Sequence, residues 1–316
     1  MATCGLACGI QAQGVSFATN DYVCGNTPGS VLAADVFGTG RPAIITANQG
    51  DGTLTVLGNF GNGVFASNAT YNVIGSTRAV LAADVNLDGK MDLIAIGSST
   101  TLVLTNYNSG SFGSNATLVA GGNCGAAFDL NNDGTPDLLI GGNTSVLLLT
   151  NNGSGRFGLN ATLNVPGPVF SMAVADINSD GWPDLIVANF NDASLTVFTN
   201  SGGGVLVSNA TYAVGGGSRS VVAADVNGES RIDLISGNSA GYPNSSLTVL
   251  TNNGSGVFGS NTTLNVARGC SGVAAADLNG DGFTDLVAFD SLDRPGLISV
   301  VTNSSGGFGP YFTVVA

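Results

Sequence analysis

Ser271 to Val287 reads SGVAAADLNGDGFTDLV, and the middle of this stretch decides the fold. Asp277, Asn279, Asp281 and Asp285 stand at positions 1, 3, 5 and 9 of a short loop, with Gly282 at position 6, between two apolar runs that read as strands. Oxygen-bearing side chains at alternate positions of a tightly curled loop turn inward together, which is what a hard cation requires. The glycine supplies the positive φ that lets the loop double back. Position 7, here Phe283, contributes only its backbone carbonyl, so its side chain is free to vary. The pattern predicts Ca2+ rather than Mg2+, which keeps several waters and demands stricter octahedral geometry.

The stretch recurs. Counted from the first aspartate, copies begin at Asp35, Asp84, Asp129, Asp176, Asp225 and Asp277. Each copy carries an apolar strand, the acidic loop, a second strand, a polar turn, a third strand, a Gly/Asn/Ser turn and a fourth strand. Four short strands in a unit of roughly 40 to 50 residues are the mark of a propeller blade. A single blade cannot cover its own faces, so blades pack on one another in a ring. The expectation is an all-β, six-bladed β-propeller of four-stranded antiparallel blades, with the calcium loops between first and second strands. Its blades span approximately 30–75, 79–120, 124–167, 171–215, 220–267 and 272–316, in one domain (14–316) behind a tail of residues 1–13.

Four loops are complete: Asp84, Asn86, Asp88 and Asp92; Asp129, Asn131, Asp133 and Asp137; Asp176, Asn178, Asp180 and Asp184; and Asp277, Asn279, Asp281 and Asp285. The carbonyls of Lys90, Thr135, Trp182 and Phe283 complete the expected ligand sets. About four structural calcium ions are therefore predicted. The fifth loop keeps Asp225, Asn227 and Asp233 but has Glu229 at position 5 and Ser230 at position 6, which predicts a weak site. The first has Phe37, Thr39 and Ala43 where ligands belong, and should bind nothing.

In phase with these loops, Phe-Gly recurs at Phe112-Gly113, Phe157-Gly158, Phe258-Gly259 and Phe308-Gly309. Loop and dipeptide together resemble the FG-GAP or VCBS repeats of the integrin alpha-chain propeller and of bacterial secreted proteins. The resemblance implies a propeller with calcium on the loop between a blade's first two strands. It leaves function open, since that family includes adhesion receptors, lectins and parts of polysaccharide-acting enzymes.

Composition narrows the field. Only 9% of residues are charged and 48 are glycine, which suits a ring of tight turns. The net charge of −13 is mainly a property of the loops, because the four complete ones hold twelve of the 21 acidic residues. Eight Lys and Arg, without a basic cluster, argue against nucleic acid as a partner. No apolar run is long enough to span a membrane. Residues 1–13 lack the basic start and apolar core of a signal peptide, so an export signal is not expected in this chain. A loop set of this kind is read as filled in millimolar calcium, hence an extracellular or cell-surface location.

The sequence contains no histidine, which removes Ser-His-Asp and Cys-His catalysis. A carboxylate pair such as Asp192 with Asp290 or Asp293 is the one conceivable acid and base, and the chain is read as no enzyme. On the face opposite the calcium loops, Arg78, Phe170, Phe190, Asp192, Arg219 and Tyr242 form the candidate contact set for a protein or glycan. The leading reading is a non-catalytic binding or adhesion module. Carbohydrate binding is the alternative, although the same aromatic does not recur in each blade. Residues 14–25 (GVSFATNDYVCG) resemble the blade-ending segment at 63–75 and are read as an extra strand that closes the ring. Donation of that strand to a neighbouring molecule, building a fibre or surface layer, is the competing reading. Cys4 or Cys8 bridged to Cys24 is set against unpaired buried thiols. The Asn-x-Ser/Thr sequons are read as repeat consensus rather than glycan sites.

Overall fold

The computed structural model describes residues 20–73, 75–240, 245–267, 269–289, 297–305 and 307–315. All regular structure among them is β-strand, because short β-branched runs alternate with Gly, Asn and Ser turns. The first blade comprises β1 (Pro28–Ala34), β2 (Ala43–Asn48), β3 (Thr53–Gly61) and β4 (Val64–Asn72). The second comprises β5 (Thr77–Ala83), β6 (Asp92–Gly97), β7 (Thr101–Asn108) and β8 (Ser111–Leu118), and the third β9 (Cys124–Phe128), β10 (Asp137–Gly141), β11 (Ser145–Asn151) and β12 (Phe157–Asn164). The fourth holds β13 (Val169–Ala175), β14 (Asp184–Asn189), β15 (Ser194–Asn200) and β16 (Leu206–Ala213). The fifth holds β17 (Ser218–Ala224), β18 (Asp233–Asn238), β19 (Ser246–Asn252) and β20 (Phe258–Asn265). The sixth holds β21 (Gly272–Ala276), β22 (Asp285–Phe289), β23 (Leu297–Val301) and β24 (Phe312–Val315).

Every sheet is a four-stranded antiparallel meander in chain order, which makes the molecule a six-bladed propeller. Second and third strands are the apolar heart of each blade. β6, β10 and β14 are buried along their whole lengths, since neighbouring blades cover both faces. First-strand side chains alternate between the blade before and the blade after. Leu32 and Ala34 join Val80 and Ala82 in one cluster, while Val222 and Ala224 join Val273 and Ala275 in another.

An aromatic contact ties outer strands together at the rim. Tyr71 meets Phe112 edge-on, with ring centres 5.4 Å apart, and Tyr212 meets Phe258 in the same way at 5.4 Å. Residues 14–19 of the expected closing strand lie outside the described residues. Residues 20–25 form no strand, but Tyr22 meets Phe65 edge-on at 5.5 Å and donates its hydroxyl to the Gly63 carbonyl at 2.6 Å. The segment therefore lies on the first blade. Burial pushes the Cys124 thiol up to about 12, and Cys4 and Cys8, the expected partners of Cys24, lie outside the described residues.

Candidate functional site

The acidic loops sit where each first strand hands over to the second. Their shape comes from two left-handed residues, at positions 4 and 6. Leu87, Asn132 and Ser179 hold φ near +60° at position 4, and Gly89, Gly134 and Gly181 hold φ of +82° to +87° at position 6. Only glycine adopts the latter without strain, which explains the residue. The first aspartate then gathers the curled backbone. Asp176 accepts the Asp180 N–H at 3.1 Å and the Gly181 N–H at 2.9 Å, and Asp84, Asp129 and Asp277 do the same in their loops. Asn178 accepts the Asp180 N–H through Oδ1 and donates Nδ2 to Asp180 Oδ2 at 3.0 Å.

The aspartate at position 9 occupies a different environment. Asp92, Asp137, Asp184 and Asp285 are all buried. Asp184 accepts the Ile177 N–H on one oxygen and the Asn200 N–H on the other, at 3.1 and 2.8 Å. Burial pushes the Asp92, Asp137 and Asp184 carboxyls above the usual carboxylate range. Backbone N–H groups pull them back, and the two other loop aspartates raise them further by like-charge repulsion. Three carboxylates, an asparagine oxygen and a free carbonyl suit Ca2+ chemically. The repulsion is what a divalent ion would relieve. As they stand, no three acidic side chains among the described residues converge as a group on one point.

The loops differ in their seventh residue. Lys90 lies 3.1 Å from Asp88 in the second blade, so a cation already faces that carboxylate. In the fifth blade Arg231, at position 7 of the same loop, pairs with Glu229, and Ser230 holds the position-6 turn at φ +61°. Asp225 still accepts the Glu229 and Ser230 N–H groups there. The first loop, without ligands at positions 3, 5 and 9, nevertheless keeps Gly38 and Gly40 at positive φ and the Asp35 bonds to Thr39 and Gly40. The curled backbone is thus independent of a full ligand set.

A set of residues that the sequence reading missed lies one step behind position 9. In the second to sixth blades an asparagine near the end of the third strand donates Nδ2 to the preceding blade's position-2 carbonyl. Asn106 reaches Val36, Asn151 reaches Val85, Asn200 reaches Leu130, Asn252 reaches Ile177 and Asn303 reaches Val226, at 2.6 to 2.9 Å. The signal was present as an in-phase Thr-Asn, but its meaning lies in a neighbouring blade. Asn303, which opens one of the Asn-x-Ser/Thr sequons (Asn303-Ser304-Ser305), is buried in this role.

On the opposite face, the structure brings together three of the six candidate contact residues. Phe170 and Phe190 meet edge-on with ring centres 5.2 Å apart, and the Arg219 guanidinium lies 5.1 Å from the first ring and 6.0 Å from the second. They come from the start of β13, the end of β14 and the start of β17, the strand ends remote from the acidic loops. Asp192 is beside them in sequence, exposed, and bonded to Ser194 Oγ at 3.0 Å. Arg78 stands apart, bonded to the Asn123 side chain across the second and third blades. Tyr242, Asp290 and Asp293 lie outside the described residues.

The FG-GAP-like repeat matches this chain at residues 129–187, 176–236 and 226–288, successive spans running from one acidic loop to the next. The chain belongs to the FG-GAP-like repeat family. No curated protein matches the sequence. Among solved structures, this FG-GAP-like propeller is similar to an Agrocybe aegerita lectin described as recognising non-reducing terminal N-acetylglucosamine. The identity is 24% and the TM-score 0.60, over 90% of this chain and 79% of that one. It is also similar to BBS1N in complex with ARL6DN (14% identity, TM-score 0.65, 93% and 84% covered) and to a Lactobacillus plantarum protein (10%, 0.65, 92% and 85%). At these identities the likeness concerns the fold. Among the described residues no helix is long and apolar enough to cross a membrane.

Proposed function

We propose that this propeller is a non-catalytic extracellular binding module, stiffened by calcium on its acidic loops and making contact through the face around Phe170, Phe190 and Arg219. The observation that carries the reading is that aromatic pair under a guanidinium. Two rings and a delocalised cation offer flat, semi-apolar area with little side-chain entropy left to lose on binding. Calcium would be held by Asp129, Asn131, Asp133 and Asp137, by Asp176, Asn178, Asp180 and Asp184, and by Asp277, Asn279, Asp281 and Asp285. The Asp84 loop ranks below these because Lys90 competes for Asp88, and the Asp225 loop is weakest because Glu229 is engaged by Arg231. Bound calcium supplies charge neutralisation, and the chain's residues do the positioning.

A glycan is the second reading for the ligand. It is favoured by the half-buried aromatic pair on this face and by the lectin among the similar folds. The test is a screen of immobilised glycans, including N-acetylglucosamine-terminated ones, and of extracellular proteins, with Phe190→Ala and Arg219→Ala alongside the parent chain. The expected result is a ligand whose affinity falls at least about tenfold in both variants, as for interface anchors, while circular dichroism is unchanged. Full binding by both variants would move the contact site elsewhere.

A further inference from the structure

The first blade departs from the other five at positions that converge on one spot. At positions 3, 5 and 7 of its loop stand Phe37, Thr39 and Arg41. In β3 it has Gly58, where Thr105, Thr150, Thr199, Thr251 and Thr302 precede the bridging asparagine of the other blades. With Phe60, and with Ser109 from the turn between β7 and β8, these residues line a cavity of about 390 Å3.

Gly58 is the telling residue. Its φ lies outside the left-handed region, so the backbone does not call for glycine. A Cβ built there would stand 3.7 Å from the Phe37 ring and 3.7 Å from the Phe60 ring, ordinary contact with both. Packing does not demand glycine either, and glycine within a strand weakens it. A strand glycine of this kind marks the close approach of something else. Here the missing side chain leaves a slot between two rings. Phe37 is seated against Gly110 of the second blade, where a Cβ has no room, so that ring is fixed. Phe60 is 67% exposed. Arg41 donates Nη1 to the Phe60 carbonyl at 3.2 Å and, among the described residues, forms no ion pair. The Asp35 carboxylate of the same loop is turned instead to the Thr39 and Gly40 N–H groups.

We propose that this pocket, built where the first blade has given up its calcium ligands, takes a single aromatic ring bearing a carboxylate. The source is a free acid or the C-terminal Phe or Tyr of a peptide. The ring enters the slot beside Gly58, against Phe37 and Phe60, and Arg41 supplies the planar fork that carboxylates fit. A cavity of this size, mainly apolar with a few polar groups, suits a small ligand. A sugar fits less well, because a pyranose needs partners for its hydroxyls. Asn59, the side-chain amide in this lining, already donates to the Pro42 carbonyl and accepts the Gly61 N–H. The pocket shares no residue with the face around Phe170 or with any complete acidic loop, so either proposal can fail alone.

The probes are phenylacetate and the tripeptide Gly-Gly-Phe with a free carboxylate, each titrated calorimetrically into the full chain. Their neutral amides and plain acetate are the controls. At least one of the two acids is expected to bind, its amide more weakly by roughly tenfold or more, as for a lost bond to a charged group, and acetate not at all. Binding of the tripeptide alone assigns a peptide terminus, and binding of phenylacetate alone a free acid. Gly58→Thr, which installs the residue of the other five blades, should fill the slot and abolish binding while the melting temperature holds or rises. Arg41→Gln should weaken binding roughly tenfold or more. Phe60→Ala removes an exposed ring that the fold can spare, and should lower affinity even if Gly58→Thr does not fold. The proposal is overturned if neither acid binds or if the amides bind as well as the acids. It also fails if a folded Gly58→Thr or Phe60→Ala chain binds like its parent, since the ring would then sit elsewhere.

Discussion

One carboxamide at each of five joints holds neighbouring sheets in register. Asn200 donates to the Leu130 carbonyl of the preceding blade and to Pro183 of its own, and its N–H is accepted by Asp184. Asn200→Ala leaves buried acceptors unpaired and is expected to cost about 1–3 kcal/mol, measured by urea unfolding. Asn59→Ala, which loses bonds to Pro42 and Gly61 within its own blade, should cost clearly less. The position-9 aspartates carry a pH signature. Burial raises Asp92, Asp137, Asp184 and Asp233 in the folded state, so the folded chain binds protons that the unfolded chain has already released. In chelator, the melting temperature should therefore fall as pH rises from about 4 through the raised values. Asp35, Asp88, Asp133 and Asp277, lowered by hydrogen bonds, act only further down: their contribution is lost as pH falls below the ordinary carboxylate value. No histidine blurs this window. A flat or rising profile in chelator between pH 4 and 7 would contradict the assignment.

At the scale of the element, the acidic loop is a backbone device first. Asp35 and its two glycines reproduce the curl in the first blade without the other ligands. The spacing of Asp, Asn and Gly was legible in the sequence because αL residues and short acceptors are local requirements. The partners of position 9 were not legible, because Asn106, Asn151 and Asn200 arrive from a strand beyond the next turn. Ser230 shows the local rule by breaking it: φ of +61° places a Cβ against its own carbonyl. Ser230→Gly is expected to stabilise the fifth blade by up to about 1 kcal/mol, read as a shift in the urea midpoint at constant slope. A loss of stability would mean that the serine side chain has a role beyond the turn.

For the whole molecule, calcium is the largest lever that the proposed function supplies. An ion that binds only the folded state contributes about 2.7 kcal/mol per site at a hundredfold excess over its dissociation constant. Several such sites rival the roughly 5–15 kcal/mol by which domains are stable at all. A melting temperature higher by many degrees in calcium than in chelator is expected, with Asp180→Asn lowering the difference more than Glu229→Gln. Equal melting temperatures in the two buffers would remove calcium from the account. What the sequence determined by itself was the repeat: its period, four strands per unit, the loop between first and second strands, and hence a six-bladed propeller. These follow from local chemistry repeated in phase, the φ preference of glycine and the alternation of apolar residues. Only the tertiary structure decided what lies between the units. The asparagine bridges and the gathering of Phe170, Phe190 and Arg219 from separate blades depend on how rigid sheets meet in space. Contacts between residues far apart in the chain leave no spacing to read.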